Sequence, residues 1–510
     1  MIPLEFLWRF WSRLWLWKGI NPPISLVSLP TDILAVIFDY LEVGETRIES
    51  PHINLLSLSL TCRKLRVAIL PRVFRKICSH SASCESVWPK SLWPFFRTLR
   101  LRDEDTRTPV LSPELLDVLS ALPAVTKIVL STESVIPTDF FSAVAGLGTL
   151  QVLELRQLRL DGETPSMPLP FPSLTNLILS IVGPRGATRV SGIDVDCEKQ
   201  NVASLLKNLA PRLERLTISG DLLSPSICDT LWPKLRELVV TEHTPIPYIA
   251  THRLLAHMPA LHSLSLLYTA DVSRDKTVGL HPPLTLGTSH DMLTTYSPHL
   301  TAVTLSNTSL HDPIFDQLPL TLDSLSILPM WDLHGHLAYP GGLGEVRFFR
   351  DRASELLRRL VRFNYLTEFT FVAMVVNPKP AFVDLIATSF PLLQTLHLGQ
   401  RVFREFDTYL IEMNDSHFIA SLGNLPALRH LKFSLDIYYP AADRGAPATA
   451  AWLLLKQLPN LQTVSYRWRH YSISPRSGIW YSWDRSILLQ PIPPQLPLKL
   501  PRRDDIAIRT

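Results

Sequence analysis

One pattern of apolar and polar positions recurs along most of this chain. From residue 94 onward the phrase Pro-x-Leu-x-x-Leu-x-Leu returns thirteen times, from PFFRTLRL at 94–101 to PNLQTVSY at 459–466. Its last two apolar positions alternate with polar residues, which predicts a short β-strand with one buried face. The proline cannot continue a helix, and it therefore marks the turn that leads into each strand.

The stretches between the copies have apolar residues at helical spacing, as in SPELLDVLSAL at 112–122, VASLLKNLA at 202–210 and AWLLLKQL at 451–458. Each unit is therefore predicted to be a helix, a proline turn and a strand. No such unit can bury its own apolar face, so neighbouring units must stack into a solenoid with a parallel sheet. The predicted fold class is α/β, and we assign the solenoid to residues 79–475.

These units resemble leucine-rich repeats of the irregular kind. The first apolar anchor is Phe96 in the first copy and Leu461 in the last, which gives an average spacing of about 30 residues, close to that of the class. The regular consensus has Asn or Cys at the ninth position from the first leucine, where it bonds the loop backbone. None of the thirteen copies has either residue there, and single spacings run from 22 to 44 residues. We therefore expect an irregular solenoid.

The stretch before the repeats, SLPTDILAVIFDYL at 28–41, predicts a helix. Pro30 suits a first helical residue, and the apolar residues that follow recur on one helical face: Ile33, Leu34, Ile37, Phe38 and Leu41. The next segment, NLLSLSLTCRKLRVAIL at 54–70, fits both periods. Leu56, Leu58 and Leu60 alternate as in a strand, whereas Leu58, Cys62, Leu65 and Ile69 step as in a helix. A unit of this size has little core of its own, so part of its apolar surface is expected to meet a partner.

Together these motifs resemble an F-box: Leu29-Pro30, Asp32-Ile33-Leu34, Ile37-Phe38, Tyr40-Leu41, then LSLTCR at 58–63, with a continuation at 65–77 that is similar to fungal F-box proteins. The resemblance implies a small all-helical F-box domain over residues 24–78. It also implies docking on the Skp-type adaptor of a cullin–RING ubiquitin ligase and, through the adaptor, on the cullin. The adaptor contacts that it implies are Leu29, Pro30, Ile33, Leu34, Ile37, Phe38, Leu58, Leu60 and Cys62. For Leu34, Phe38 and Leu41 an internal core position is the open alternative.

A protein target is expected on the concave, strand-lined surface of the solenoid. Its candidate residues flank the second leucine of each phrase and include Arg100, Lys127 and Glu154. The main candidates for target binding are Arg215, Glu237, Glu368, His397, His430, Lys432 and Trp468. Their charges are mixed, so they favour no single class of charged ligand.

The two ends of the chain have unusual compositions. Residues 1–23 are rich in Trp and Leu, with apolar side chains on one helical face and charges on the other. An amphipathic anchor in a membrane interface is one interpretation; a tail that packs on its own protein or is disordered is the one we favour. Aromatic and Arg residues alternate over 466–486, which is typical of interfaces and also of a cap on the last repeat. We favour the cap and assign residues 476–510 to the cap and a Pro-rich tail.

Composition narrows the function. Lys and Arg number 50 against 46 Asp and Glu, a net charge of +4, which does not favour nucleic acid as the main partner. Five cysteines without a spacing pattern indicate reduced thiols and a cytoplasmic or nuclear protein. Cys78, His80 and Cys84 lack a fourth zinc ligand, and DVDCE at 194–198 is interpreted as a solvated loop. We expect no catalytic residue, no metal and no cofactor, and hence no enzyme.

The sequence thus favours a substrate receptor of a ubiquitin ligase. Two alternatives stay open: a repeat scaffold without a ligase, in which the F-box-like unit only caps the solenoid, and a membrane-surface protein held by its N-terminal segment. The exposure of Leu29, Pro30 and Ile33 distinguishes the first two, because a cap would bury these side chains and a docking module would leave them open.

Overall fold

The computed structural model describes most of the repeat region and parts of the N-terminal region. The described residues are 29–30, 33–34, 37–38, 53–79, 88–102, 111–132, 134–160, 171–181, 194–242, 245, 249–268, 293–306, 312–328, 348–373, 380–400, 416–435, 446–469 and 478–488. The N-terminal segment 1–23, the residue Leu41 and the Pro-rich tail beyond 488 lie outside them. The chain divides into two compact units, the first with residues 1–159 and 167–174 and the second with residues 160–166 and 175–510.

The first unit begins with a small helical cluster. Ile33, Leu34, Ile37 and Phe38 are helical, and the amide of Leu34 donates to the carbonyl of Pro30 at 3.0 Å, as in a first helical turn. Helix α1 (Ile53–Ser59) and helix α2 (Arg63–Val73) follow. The ambiguous apolar stretch at 54–70 is therefore helical. The core of the helical cluster consists of Leu34, Phe38, Leu55, Leu65, Ile69 and Val73.

Helix α2 leads directly into the first sheet. Strand β1 (Lys76–Ser79) pairs in parallel with β2 (Thr98–Arg102), which pairs with β3 (Lys127–Ser131), which in turn pairs with β4 (Val152–Arg156). Helix α3 (Pro113–Ser120) connects β2 to β3, and helix α4 (Thr138–Ala145) connects β3 to β4. Helix α3 begins as its sequence predicts, since Ser112 Oγ accepts the Leu115 amide at 3.3 Å and Pro113 occupies the first turn,.

The second unit repeats the same plan. Ten parallel strands follow in chain order, each hydrogen-bonded to the next. They are β5 (Asn176–Ser180), β6 (Arg215–Ser219), β7 (Glu237–Glu242), β8 (Ser263–Tyr268), β9 (Ala302–Ser306), β10 (Ser324–Leu328), β11 (Glu368–Ala373), β12 (Thr395–Gln400), β13 (His430–Leu435) and β14 (Thr463–Arg469). Strand β15 (Gly478–Asp484) then pairs antiparallel with β14.

Helices of varied length connect these strands. They are α5 (Val195–Leu209), α6 (Pro225–Cys228), α7 (Thr251–Leu255), α8 (Ile314–Gln317), α9 (Phe348–Leu360), α10 (Pro380–Ser389), α11 (Ser416–Gly423) and α12 (Ala446–Gln457), with α13 (Arg485–Leu488) after β15. In each unit the core lies between strands and helices. For example, Leu216, Leu238 and Leu264 of three successive strands are buried, as are Leu356, Leu357 and Leu360 of α9.

Backbone hydrogen bonds link the successive turns. The carbonyl of Thr175 accepts two consecutive amides of the next repeat, those of Glu214 at 2.8 Å and Arg215 at 3.0 Å. The carbonyl of Glu214 accepts two amides from the following repeat in the same way. Such a ladder satisfies turn groups that would otherwise be buried without partners.

Each of the thirteen phrases forms one parallel strand, from β2 to β14. The predicted α/β repeat architecture is therefore confirmed. Where the Asn ladder is missing, a serine directly after the phrase, at the seventh position from its first apolar anchor, bonds to a neighbouring repeat. Ser131 Oγ donates to Gln157 Oε1 at 3.1 Å, and Ser306 Oγ donates to the carbonyl of Tyr268 at 2.8 Å.

Candidate functional site

The helical cluster of the first unit has a small closed core with apolar residues left outside it. Pro30 is exposed, the Ile33 side chain is 41% exposed and the Leu60 side chain is 73% exposed. Isolated exposed apolar residues are normal on protein surfaces. Here three of them belong to a single motif in a cluster with six core residues, and this suits a surface that docks on a partner.

Four further predicted contacts lie at the edge of the core. Leu29, Ile37, Leu58 and Cys62 are half-buried and pack against the cluster. Cys62 has a local structural role as well, because its Sγ accepts the Leu65 amide at 3.5 Å and caps helix α2. This cap gives a physical reason for the cysteine at this step of the sequence, since an N-cap side chain that accepts a hydrogen bond satisfies an amide of the first helical turn.

Two predicted contacts do not reach the surface. Leu34 is 2% exposed and Phe38 is 1% exposed, and the Arg72 guanidinium lies over the Phe38 ring at 5.5 Å. Both side chains form the inner face of the helical stripe, which has to close the core of so small a domain. For Leu34 and Phe38 the structure therefore favours the internal core position, the alternative that the sequence left open.

Two exposed apolar residues were not among the predicted contacts. Leu56 in α1 is exposed, and Val67 in α2 is 66% exposed. The alternation of Leu56, Leu58 and Leu60 indicated an apolar surface in this segment. The sequence did not decide between a strand and a helix there, so it did not show which of these leucines are exposed. Only the helical geometry shows which of these side chains face outward.

The predicted target-binding residues lie on the strand face of the second unit, in two separate groups. Arg215 in β6 and Glu237 in β7 occupy paired positions, and Arg215 Nε lies 3.4 Å from Glu237 Oε2. Both side chains are exposed, so this ion pair contributes little stability,.

The second group lies on β11 to β13. His397 and Lys432 occupy paired positions, and His430 Nδ1 is 2.9 Å from Thr463 Oγ1 of β14. Glu368 accepts a hydrogen bond from Ser324 Oγ at 3.4 Å. Strands β8, β9 and β10 separate the two groups, so the structure does not bring all predicted residues together. Trp468 lies in β14, opposite Ile479, and its side chain is outside the described part.

The strand face of the first unit contains a more closely coupled set. Glu154 is buried, its Oε2 lies 2.9 Å from Lys127 Nζ, and its Oε1 accepts from Arg156 Nε at 2.6 Å. Burial by itself would raise the pKa of Glu154, but the hydrogen bonds and charges of Lys127 and Arg156 outweigh it and hold that pKa below its ordinary value,. Glu154 is therefore ionised at neutral pH and keeps both cations in place.

Comparison with known proteins agrees with the helical cluster. Residues 26–80 match the family model described as F-box-like. Those residues form an F-box-like domain. This chain therefore combines an F-box-like domain with leucine-rich repeats. A search of curated proteins found no match.

Solved structures that align with parts of this chain include two complexes and one domain of a type III effector. The TLR13–ssRNA13 complex aligns at 14% identity and a TM-score of 0.36, over 77% of this chain and 58% of that chain. The Drosophila Toll–Spatzle complex aligns at 12% identity and a TM-score of 0.30, over 73% of this chain and 48% of that chain. The leucine-rich repeat domain of the type III effector XopL aligns at 16% identity and a TM-score of 0.26, over 60% of this chain and 98% of that one. This chain thus spans about half the length of the chains that it matches in the two complexes.

Other sequence candidates have structural roles. The segment at 194–198 is the start of α5 and not a solvated loop, so that expectation was wrong. Asp194 caps the helix by accepting the amides of Asp196 and Cys197 at 3.1 and 3.2 Å, and buried Glu198 accepts the Leu160 amide at 2.6 Å. Within the described residues, no group of three or more His, Cys, Asp or Glu side chains could hold a metal ion.

None of the helices within the described ranges is long and apolar enough to span a membrane. The Trp-rich segment 1–23 lies outside these ranges, and its membrane interpretation stays an untested alternative.

Proposed function

We propose that this chain is a substrate-recognition subunit of an SCF-type cullin–RING ubiquitin ligase, acting in the cytoplasm or nucleus. The F-box-like domain would dock on the Skp-type adaptor and, through it, on the cullin. The repeats would hold a protein target, and other subunits would transfer ubiquitin. Such a receptor acts by raising the effective concentration of the target near the transfer machinery.

The observation that carries the proposal is the exposure of the F-box motif residues. Pro30, Ile33 and Leu60 stay accessible although the domain has closed its own core. Leu29, Ile37, Leu58 and Cys62 border them at the edge of this core. Apolar anchors of this kind suit recognition of a partner groove by a helical segment.

The test is a pull-down of the full chain with a purified Skp-type adaptor. The variant Ile33→Glu/Leu60→Glu puts two charges among the proposed contacts, and we expect it to bind the adaptor at least about tenfold more weakly. The matched control is Leu231→Glu/Leu320→Glu, which makes the same change at two exposed leucines of the second unit. Wild type and control should bind alike.

The repeat scaffold without a ligase is the second candidate, and one observation favours it. Helix α2 continues into β1, and β1 pairs with β2, which is what an N-terminal cap of a solenoid does. A well-folded wild-type chain that does not bind the adaptor would reject the ligase proposal and support this scaffold.

A further inference from the structure

The described residues from the F-box-like domain to the first repeat are strongly basic. Residues 53–79 and 88–102 contain ten Lys and Arg and no Asp or Glu. The whole chain is nearly balanced, with a net charge of only +4. The positive charge is therefore concentrated in one part of the first unit.

Five basic side chains share the strand face of this unit. Because Leu99 and Leu101 of β2 point into the core, Arg100 and Arg102 lie on the opposite face,. Strand register places Lys76, Lys127 and Arg156 on the same face. Lys76 and Lys127 both pair with Thr98, and Arg102 and Arg156 both pair with Ser131.

The sheet geometry sets the spacing of these charges. Neighbouring strands lie about 4.8 Å apart, so Lys76 and Lys127, and likewise Arg102 and Arg156, lie about 10 Å apart across two strands,. Arg100 and Arg102 lie about 6.6 Å apart along β2, the same spacing that separates side chains on one face of an extended peptide. Glu154 is the acidic residue among the described side chains on this face, and it already binds Lys127 and Arg156. This basic strand face (Lys76, Arg100, Arg102, Lys127 and Arg156) therefore has a net charge of +4, counting Glu154.

One feature favours a polypeptide over a nucleic acid as the ligand. The described strand-face positions of β1 to β4 contain no aromatic side chain on which bases could stack,. The arginines can bind the carboxylates of an acidic polypeptide through two parallel hydrogen bonds. Glu154 restrains Lys127 and Arg156 before any ligand binds, which lowers the entropy cost of binding,.

We propose that the basic strand face of the first unit binds an acidic, extended segment of a protein partner. The inference deepens the proposed function, since the segment would belong to the target. It assigns the main target contacts to Arg100, Arg102, Lys127 and Arg156 and not to the mixed charges of β6 to β13.

The test measures fluorescence anisotropy of a labelled 12-residue peptide of alternating Glu and Ser with the full chain. The variant Arg100→Glu/Arg102→Glu should weaken binding about tenfold or more, and Arg100→Gln/Arg102→Gln should weaken it by a smaller factor. The matched control is Lys207→Glu/Arg358→Glu, which makes an equal charge change on exposed positions of helices α5 and α9. The control should bind within about twofold of wild type, because neither Lys207 nor Arg358 belongs to the basic strand face.

Several outcomes would overturn the inference. One is an equal loss of peptide binding in the control, which would indicate only general charge attraction. Another is tighter binding of a 12-nucleotide oligothymidine than of the peptide, lost in the Arg100→Glu/Arg102→Glu variant, which would identify a nucleic-acid surface. A wild-type chain that binds the adaptor but no peptide would reject this inference and leave the proposed function standing.

The chain's own acidic residues are the competing occupant. Asp103, Glu104 and Asp105 follow Arg102 in the sequence and lie outside the described residues. The variant Asp103→Asn/Glu104→Gln/Asp105→Asn should bind the peptide at least as tightly as wild type. If this variant binds and wild type does not, the acidic stretch occupies the face, and the proposed partner is rejected.

Discussion

Glu154 is a single carboxylate that holds two cations on the strand face of the first unit. Its own side chain is buried, while Lys127 and Arg156 are partly exposed. A buried charge is costly unless it is paired, so this carboxylate and its partners depend on each other. The sequence identified Glu154 and Lys127 as surface candidates but did not show that Glu154 is buried between them.

Replacing Glu154 by Gln should destabilise the protein by about 1 to 2 kcal/mol at pH 7. The folded-state pKa of Glu154 lies below the ordinary value of 4.5. Its contribution to stability is therefore present above pH 4.5 and is lost as the pH falls through the lower, folded-state pKa. The stability difference between wild type and Glu154→Gln should shrink in that acidic range, as measured by urea denaturation at pH 7, 5, 4 and 3.

The control for this experiment is Glu237→Gln, which removes the carboxylate of an exposed ion pair. It should change stability by less than about 0.5 kcal/mol at pH 7. If the gap between wild type and Glu154→Gln keeps its size down to pH 3, the assignment of a lowered pKa to Glu154 is wrong.

At the scale of elements, a serine directly after the phrase joins neighbouring strands. Ser219 Oγ donates to Glu242 Oε2 at 2.5 Å, and Ser180 Oγ donates to the same carboxylate. Glu242 has a positive φ of 69°, and Gln157, at the matching position of β4, has a φ of 57°. Left-handed conformations cost energy in residues other than Gly. The hydrogen bonds that serine donates to Glu242 and Gln157 help to hold both residues in this conformation.

The change Ser219→Ala should cost about 1 to 3 kcal/mol, because it leaves a buried carboxylate with one donor fewer. The matched change is Ser265→Ala, at a half-buried strand-face position of β8, which should cost little. Thermal unfolding of both variants measures the difference. Equal melting temperatures for the two would show that the Ser219 bond is not needed.

Arg485, the first residue of helix α13, donates hydrogen bonds to backbone carbonyls of the last repeat. Arg485 Nη1 donates to the carbonyls of Leu455, Leu458 and Leu461 at 2.6, 2.9 and 3.3 Å. These groups belong to the end of helix α12 and the turn after it, where carbonyls lack partners within the helix. A positive charge at a helix C-terminus is favourable as well.

The variant Arg485→Met should therefore loosen the end of the second unit. We expect a loss of about 2 kcal/mol in local stability, seen as faster amide hydrogen exchange in α12, β14 and β15. Arg467→Met, in β14 itself, serves as the comparison. If exchange in β15 is unchanged in Arg485→Met, β15 is held by its pairing with β14 alone.

At the scale of the whole molecule, the F-box-like domain and the first repeats belong to one compact unit. Helix α2 ends at Val73, and after two residues the chain forms β1, which covers the edge of β2. An uncovered edge strand pairs readily with other chains. The domain thus has two potential roles, adaptor docking through its exposed residues and protection of the sheet edge.

Removing residues 1–79 should therefore expose β2 and cause self-association, detected by size-exclusion chromatography with light scattering. Removing residues 1–23 alone leaves α1, α2 and β1 in place and should not do so. A monomeric 80–510 fragment with unchanged melting temperature would contradict a protective role of β1.

Local periodicity was sufficient to predict the repeats. Alternation of apolar residues, with a preceding proline in ten of the thirteen phrases, located the strands from β2 to β14, because these signals act within eight residues. The same signals missed β1, which has no complete phrase, and β15, whose antiparallel direction depends on a chain reversal. They also left the segment at 54–70 open between helix and strand.

The sequence by itself determined the fold class, the number of repeat phrases and the F-box resemblance, since each follows from short-range patterns of residue type. The tertiary structure decided which motif residues remain exposed: Leu34 and Phe38 are buried, and Ile33 and Leu60 are not. It also decided which distant charges share a face, as for Lys76, Arg102 and Arg156. Strand register brings these residues together across many positions of the sequence, and no local pattern encodes that register.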